Sequence, residues 1–174
     1  MLLASLIIAG ALYPVLMLIE KEPWYPDMFV EKEPGEIKKS LLLLFSMFAF
    51  LTFLCLGIFH QRGVLAASIL MWGTGDAAAA LVGIPYGKHK VHMKYTDGKK
   101  SWEGSLAMLA VSFVSGMVIL LYIQKMSFFH AVIAAGAAGV LGTFTELVSG
   151  SEYDTVTVPI VMPAVLLMIA GLIG

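Results

Sequence analysis

Residues 72–80 read Trp72-Gly73-Thr74-Gly75-Asp76-Ala77-Ala78-Ala79-Ala80. Gly83 and Gly87 follow, then a loop carrying Lys88, Lys90, Lys94, Lys99 and Lys100, then Ser101-Trp102-Glu103-Gly104-Ser105. An acid is set inside an apolar segment, five lysines come after it, and a second acid opens the next apolar segment. An acid near the centre of a membrane helix costs at least ~2.5 kcal/mol on insertion scales and is retained mainly where it has a partner or a function. At about 100° per residue, Gly73, Ala79, Ala80, Gly83 and Gly87 fall on the same helix face as Asp76. Such a stripe of small residues serves close helix packing in lipid, but packing alone does not require the carboxylate. The Gly73-Thr74-Gly75 run predicts a break or loosening of the helix at that point.

Composition places this stretch in a bilayer. Of 174 residues, 59% are hydrophobic and only 13% charged, with a mean hydropathy of +0.89, against about 25% charged in soluble chains. The formal net charge of −1 predicts no nucleic-acid partner, so any anion binding must come from local clustering. The single cysteine, Cys55, rules out an internal disulfide and CxxC chemistry and reads as a small core or lipid-facing residue. Residues 1–19 are apolar without a basic n-region or a clear small-residue cleavage site, which reads as a span rather than a signal peptide.

A helix needs about 20 apolar residues to cross the hydrocarbon. Segments 1–19, 41–59, 64–86, 104–123, 128–145 and 156–174 meet or nearly meet that requirement. The expected fold is therefore all-α, six transmembrane helices in one bundle, with 1–174 as a single membrane domain. Pro159 and Pro163 in the last span are tolerated as kinks where neighbours satisfy the freed carbonyls. With six spans, connectors 20–40, 85–103 and 147–155 share one side. That side carries Lys21, Lys32, Lys38, Lys39, Lys88, Lys90, Lys94, Lys99 and Lys100, against Arg62 and Lys125 on the other. The positive-inside rule assigns the lysine-rich side to the cytoplasm.

Groups suited to chemistry gather on that side. Glu146 ends the fifth span with Gly136, Gly139, Gly142 and Thr143 on its face, repeating the pattern of Asp76. Alone it reads equally as an interfacial acid at a helix end. Two small-faced helices that each present one acid could meet around Mg²⁺, which takes oxygen ligands, commonly one or two carboxylates plus phosphates and water. Loop lysines ordinarily bind anionic headgroups at ~1 kcal/mol each; between two acid-bearing helices they also suit a triphosphate. His89 and His92 lack a third His or Cys ligand, so zinc is not expected, and both read as solvated. Ser101 is a candidate N-cap for the fourth span, whose N-terminus attracts anions. Glu103 in the first turn is favoured by the dipole of any helix, and Asp154 is placed to cap the final span. Connector 20–40 mixes four lysines, six acids and Pro23, Pro26 and Pro34; it reads as a solvated interfacial loop anchored by Trp24 and Tyr25, or as a lid or lipid-entry element.

These blocks together resemble the integral-membrane, CTP-dependent lipid kinases, a family that includes phytol kinase, dolichol kinase and yeast-type diacylglycerol kinase and is distantly related to phosphatidate cytidylyltransferase. The resemblance covers roughly 31 to 163. It rests on Gly75-Asp76 followed by Ala79, Gly83 and Gly87; on Lys100-Ser101-Trp102-Glu103-Gly104-Ser105-Leu106-Ala107-Met108; on Thr145-Glu146; and on Asp154 leading to Val158-Pro159. In the family the last block usually reads Asp-Asp-Asn, where this chain has Tyr153-Asp154-Thr155. The family also tends to carry an extra N-terminal span followed by an Arg-Lys and His stretch, not found here, and a shortened member is expected.

The resemblance implies transfer of the γ-phosphoryl group of CTP to a lipid alcohol, with Mg²⁺ as cofactor and the membrane lipids as surroundings. Asp76 and Glu146 would then hold the metal-triphosphate, either of them also open as the base toward the alcohol. Glu103 is a further catalytic candidate. Gly75, Gly83, Gly87, Lys88, Lys90, Lys100, Ser101, Gly104 and Asp154 would line the nucleotide site. The competing readings are a cytidylyltransferase that joins CMP to a lipid phosphate, an ion- or proton-coupled transporter lined by Asp76 and Glu146, and a basic loop that merely tethers the chain to lipid.

Overall fold

The computed structural model describes residues 10–11, 14–15, 17–18, 36–91, 100–150 and 154–173. The first span as a whole, most of connector 20–40, His92, Lys94, Asp97, Lys99 and Tyr153 lie outside the described residues. The chain is all-α: the described residues form five long helices, and one antiparallel bridge pairs Lys90 with Ser101. Two compact units divide it, Met1–Phe53 and Leu54–Gly174.

In the first unit, α1 (Glu36–Thr52) is built from a nearly unbroken apolar run. Two of its hydroxyls are satisfied within the helix, Ser46 Oγ donating to Leu42 O at 2.7 Å and Thr52 Oγ1 to Phe48 O at 2.8 Å. This is how hydroxyls are accommodated where no water competes. A π-helical segment, Phe53–Ile58, follows; all of it but Phe53 belongs to the second unit, including the buried Cys55. The turn beyond it places His60 at a φ of 56°, a left-handed conformation common just after helix ends.

The second unit is a ring of four helices: α2 (Arg62–Tyr86), α3 (Trp102–Tyr122), α4 (Phe128–Val148) and α5 (Asp154–Ile173). Each packs against two others, in the pairs α2–α3, α3–α4, α4–α5 and α2–α5. With α1, this gives five described helices long and apolar enough to cross a membrane.

Small residues at a spacing of four make the α2–α3 seam. Gly75, Ala79, Gly83 and Gly87 of α2 and its end face the α3 row of Gly104, Met108, Ser112 and Gly116. A Cβ added to Gly75 would overlap Ser112 Oγ and stand 3.1 Å from Met108 Cγ; one on Gly104 would lie 3.0 Å from the Ala79 carbonyl oxygen. Where backbones approach this closely, polar side chains can bond across helices. Ser112 Oγ donates to Met71 O at 2.8 Å, and Thr74 Oγ1 and Ser115 Oγ stand 3.2 Å apart.

Three expectations change in detail. α2 runs unbroken through Gly73-Thr74-Gly75, because Gly75 is the contact point with α3 and Thr74 also bonds back to Leu70 O within its own helix. α4 continues past 145 to Val148, so Glu146 lies inside its last turn. α5 begins at Asp154, which is in the first turn of the helix. Pro159 and Pro163 lie within α5 on its buried side, and Met162 between them fills the space over Gly142.

Candidate functional site

The connection between α2 and α3 and the junction of α4 with α5 meet at one end of the ring. Backbone bonds from Val91 N–H to Lys100 O (2.9 Å) and from Trp102 N–H to His89 O (3.1 Å) close the base of the lysine-rich loop. Ser101 caps α3 as its sequence position predicts, its Oγ accepting from Gly104 N–H at 3.2 Å, and it is almost fully buried. A Cβ on Gly87 would stand 2.8 Å from Ser101 Cβ, and one on Gly83 3.2 Å from its Oγ. Only glycine lets this cap settle so deeply against α2.

Above the cap lies a cavity of about 170 Å³. Helix α2 supplies Asp76, Ala79, Ala80, Gly83 and Ile84 as one wall; Lys100, Ser101, Gly104 and Ser105 form the floor, and Glu146 of α4 faces them. Asp76 is exposed to this space, and no hydrogen bond or ion pair ties it to another described residue. Of the sequence-predicted residues, Asp76, Glu146, Lys100, Ser101, Gly83 and Gly104 are thus brought together. Gly75 packs against α3 one turn away. Ala80 is expected on the Asp76 face and Ser105 in the block that opens α3, though neither is assigned to the site from sequence; Ile84 has no signal in the sequence.

The charges form one cluster. Lys100 Nζ lies 2.9 Å from Glu146 Oε1 and 3.2 Å from Asp154 Oδ2, and it also donates to the Glu146 backbone carbonyl. The lysine and glutamate side chains are only 11% and 10% exposed. Asp76 interacts electrostatically with Asp154 and Lys100, and Glu146 with Lys100, Asp154 and Asp76. Three carboxyl groups therefore gather around one ammonium, Glu146 and Asp154 in direct contact with Lys100 and Asp76 on the cavity wall contributed by α2.

Glu103 takes a different place. It lies outside the cavity lining, where Oε1 accepts from the His89 backbone N–H at 3.2 Å and stands 2.7 Å from His89 Nδ1. His89, expected to be solvated, is mostly exposed yet held by this pair. Lys88 and Lys90 are exposed on the stem of the same loop. The amides of the first turn of α3 are largely engaged, Trp102 with the loop base, Gly104 with the cap and Ser105 with Ser101 O at 3.0 Å. An anion at this end would meet the helix dipole and the loop lysines more than free N–H groups.

Among the described residues no three His, Cys, Asp or Glu side chains make a self-contained metal site. Mg²⁺ commonly needs fewer, taking one or two carboxylates and completing its shell with substrate phosphates and water. Asp76 and Glu146, which line one cavity from two different helices, fit that requirement.

Residues 1–151 match the profile of the cytidylyltransferase family. The chain belongs to the cytidylyltransferase family. Asp76, Lys100 and Glu146 of this family member fall within the matched segment, and Asp154 just beyond it. It is 35% identical over 95 residues to "Phytol kinase" of Synechocystis sp., covering 55% of this chain and 40% of that one. It is 29% identical over 144 residues to "Probable phytol kinase 2, chloroplastic" of Glycine max (78% and 45% of the two chains). Identity is 29% over 158 residues to "Probable phytol kinase, chloroplastic" of Zea mays (83% and 48%). The chain spans less than half the length of these relatives. No solved structure matches it.

Proposed function

We propose that the chain carries the site of a CTP-dependent kinase that phosphorylates a lipid alcohol of the phytol, polyprenol or diacylglycerol type at the cytoplasmic face of the membrane. One observation carries the reading: two acids from different membrane helices share a cavity with the apolar Ala79, Ala80 and Ile84, beside a basic loop. That combination supports a site where a lipid end meets a charged phosphate donor. The similarity to phytol kinases supports the same class of substrate.

In the reaction, the lipid hydroxyl oxygen forms a bond to the γ-phosphorus of CTP, the bond from that phosphorus to the β–γ bridging oxygen breaks, and CDP leaves. Asp76, which lines the cavity without a bonded partner among the described residues, receives the hydroxyl proton. Ala80, Gly83 and Ile84 guide the apolar chain to the hydroxyl position. Lys88 and Lys90 draw the phosphates to the cavity mouth, and the positive end of α3, seated on Ser101 and Gly104, faces them. Asp76 and Glu146 would hold Mg²⁺, which when bound supplies charge neutralisation on the triphosphate.

The family match favours a second reading, a cytidylyltransferase that attaches CMP to a lipid phosphate and releases pyrophosphate. Purified protein given lipid alcohols and lipid phosphates with CTP labelled at the α or the γ phosphate separates the two. The γ label on the lipid is the expected result. The α label on the lipid would establish the transferase instead.

A further inference from the structure

Lys100 is fixed at its backbone and occupied at its side chain. Its carbonyl accepts from Val91 N–H at 2.9 Å, which anchors it at the base of the loop. Its ammonium reaches away from the loop to the Glu146 carboxylate at 2.9 Å, the Glu146 carbonyl and the Asp154 carboxylate at 3.2 Å. A lysine ammonium has three hydrogens to donate. These three acceptors use them all, and none remains for a phosphate.

The acceptors belong to two other helices. The Glu146 carbonyl is among the last four of α4, which have no partner within the helix, and a cation there is also favoured by the dipole. Asp154 is in the first turn of α5, where a carboxylate is favoured for the opposite reason. One ammonium therefore ties the end of α4 to the start of α5 and holds the Glu146 carboxylate in the cavity wall.

We infer that Lys100 is a positioning residue for the site and not a phosphate ligand: it holds Glu146 against the cavity and Asp154 beside it. The inference rests on the phosphoryl-transfer reading of that cavity. Removing the ammonium leaves two poorly exposed carboxylates facing each other without compensation. Glu146 then turns away, and the cavity loses its side chain from that wall.

The test compares the parent with Lys100→Met, Asp154→Asn and the double variant, reading thermal unfolding midpoints in detergent and steady-state kinetics with CTP and phytol. Lys100→Met is expected to lower kcat by about 100-fold or more while KM for CTP stays within about threefold, the pattern of a lost catalytic arrangement rather than lost substrate binding. Its midpoint falls less in the Asp154→Asn background, where one of the two opposed charges is gone. A KM for CTP raised about tenfold or more with kcat near the parental value would make Lys100 a phosphate ligand and overturn the inference. Equal midpoint losses in both backgrounds would overturn it as well. Should Lys100→Met fail to fold in either background, Lys100→Arg is judged by the same division between kcat and KM. A parent that transfers no phosphoryl group defeats the kinase reading, while the midpoint comparison still reports whether Lys100 and Asp154 are coupled.

Discussion

Replacing Gly75 by alanine probes the contact that sets Asp76 at its height in the bundle. The added Cβ would overlap Ser112 Oγ and press on Met108 Cγ at 3.1 Å. Ser112 cannot yield cheaply, because its hydroxyl is spent on the Met71 carbonyl at 2.8 Å and it is fully buried. Overpacking of this kind costs about 1–3 kcal/mol, and losing one interhelical hydrogen bond in a membrane bundle costs roughly 0.6 kcal/mol. The expected loss is thus about 2–3 kcal/mol in reversible unfolding in micelles. Ser112→Ala removes the atom that is struck, so the double variant should be more stable than Gly75→Ala alone, with a coupling of about 1 kcal/mol or more. A Gly75→Ala protein within about 0.5 kcal/mol of the parent, or strictly additive losses, would refute the close seam between α2 and α3.

Other substitutions test the parts separately. Gly142→Ala meets Met162 at its terminal Cε and also at Cγ (2.8 Å), and Met162 is fully buried, so its loss in the same unfolding assay should also fall in the overpacking range of about 1–3 kcal/mol. Glu103→Gln frees the loop base from its pairing with His89 and should raise KM for CTP about fivefold with kcat unchanged; a collapse of kcat would return Glu103 to the reacting groups. Lys88→Ala and Lys90→Ala should each raise KM for CTP, and the difference from the parent should shrink as salt screens exposed charges. Salt-independent effects on kcat would place these lysines elsewhere in the mechanism.

Hydropathy made the described helices legible within a few residues, because each must cover the hydrocarbon with apolar side chains. That Asp76 and Glu146 line one cavity was legible too, since an acid on a small-residue face is costly enough to stand out. What escaped was the company these groups keep. Glu146 lies 46 positions from Lys100, and Asp154 lies 54; nothing in a linear reading joins them. The same pairing explains why α4 extends to Val148: a polar Thr145-Glu146 looks like a helix end until Lys100 takes the acid and its carbonyl. Glu103 is a further catalytic candidate by its place in the motif, and its contact with His89, 14 positions earlier, is visible only in the fold.

We propose that phosphoryl transfer takes place in the cavity lined by Asp76, Lys100 and Glu146, with Asp76 as the proton acceptor. The most direct measurement is γ-phosphate transfer from labelled CTP to phytol by the parent and by Asp76→Asn, at equal amounts of folded protein. The exchange removes a charge while keeping the side chain's volume, so folding should change little and transfer should fall by about 100-fold or more, in the range that one positioned proton acceptor contributes. Transfer by Asp76→Asn within a few-fold of the parent would contradict the account.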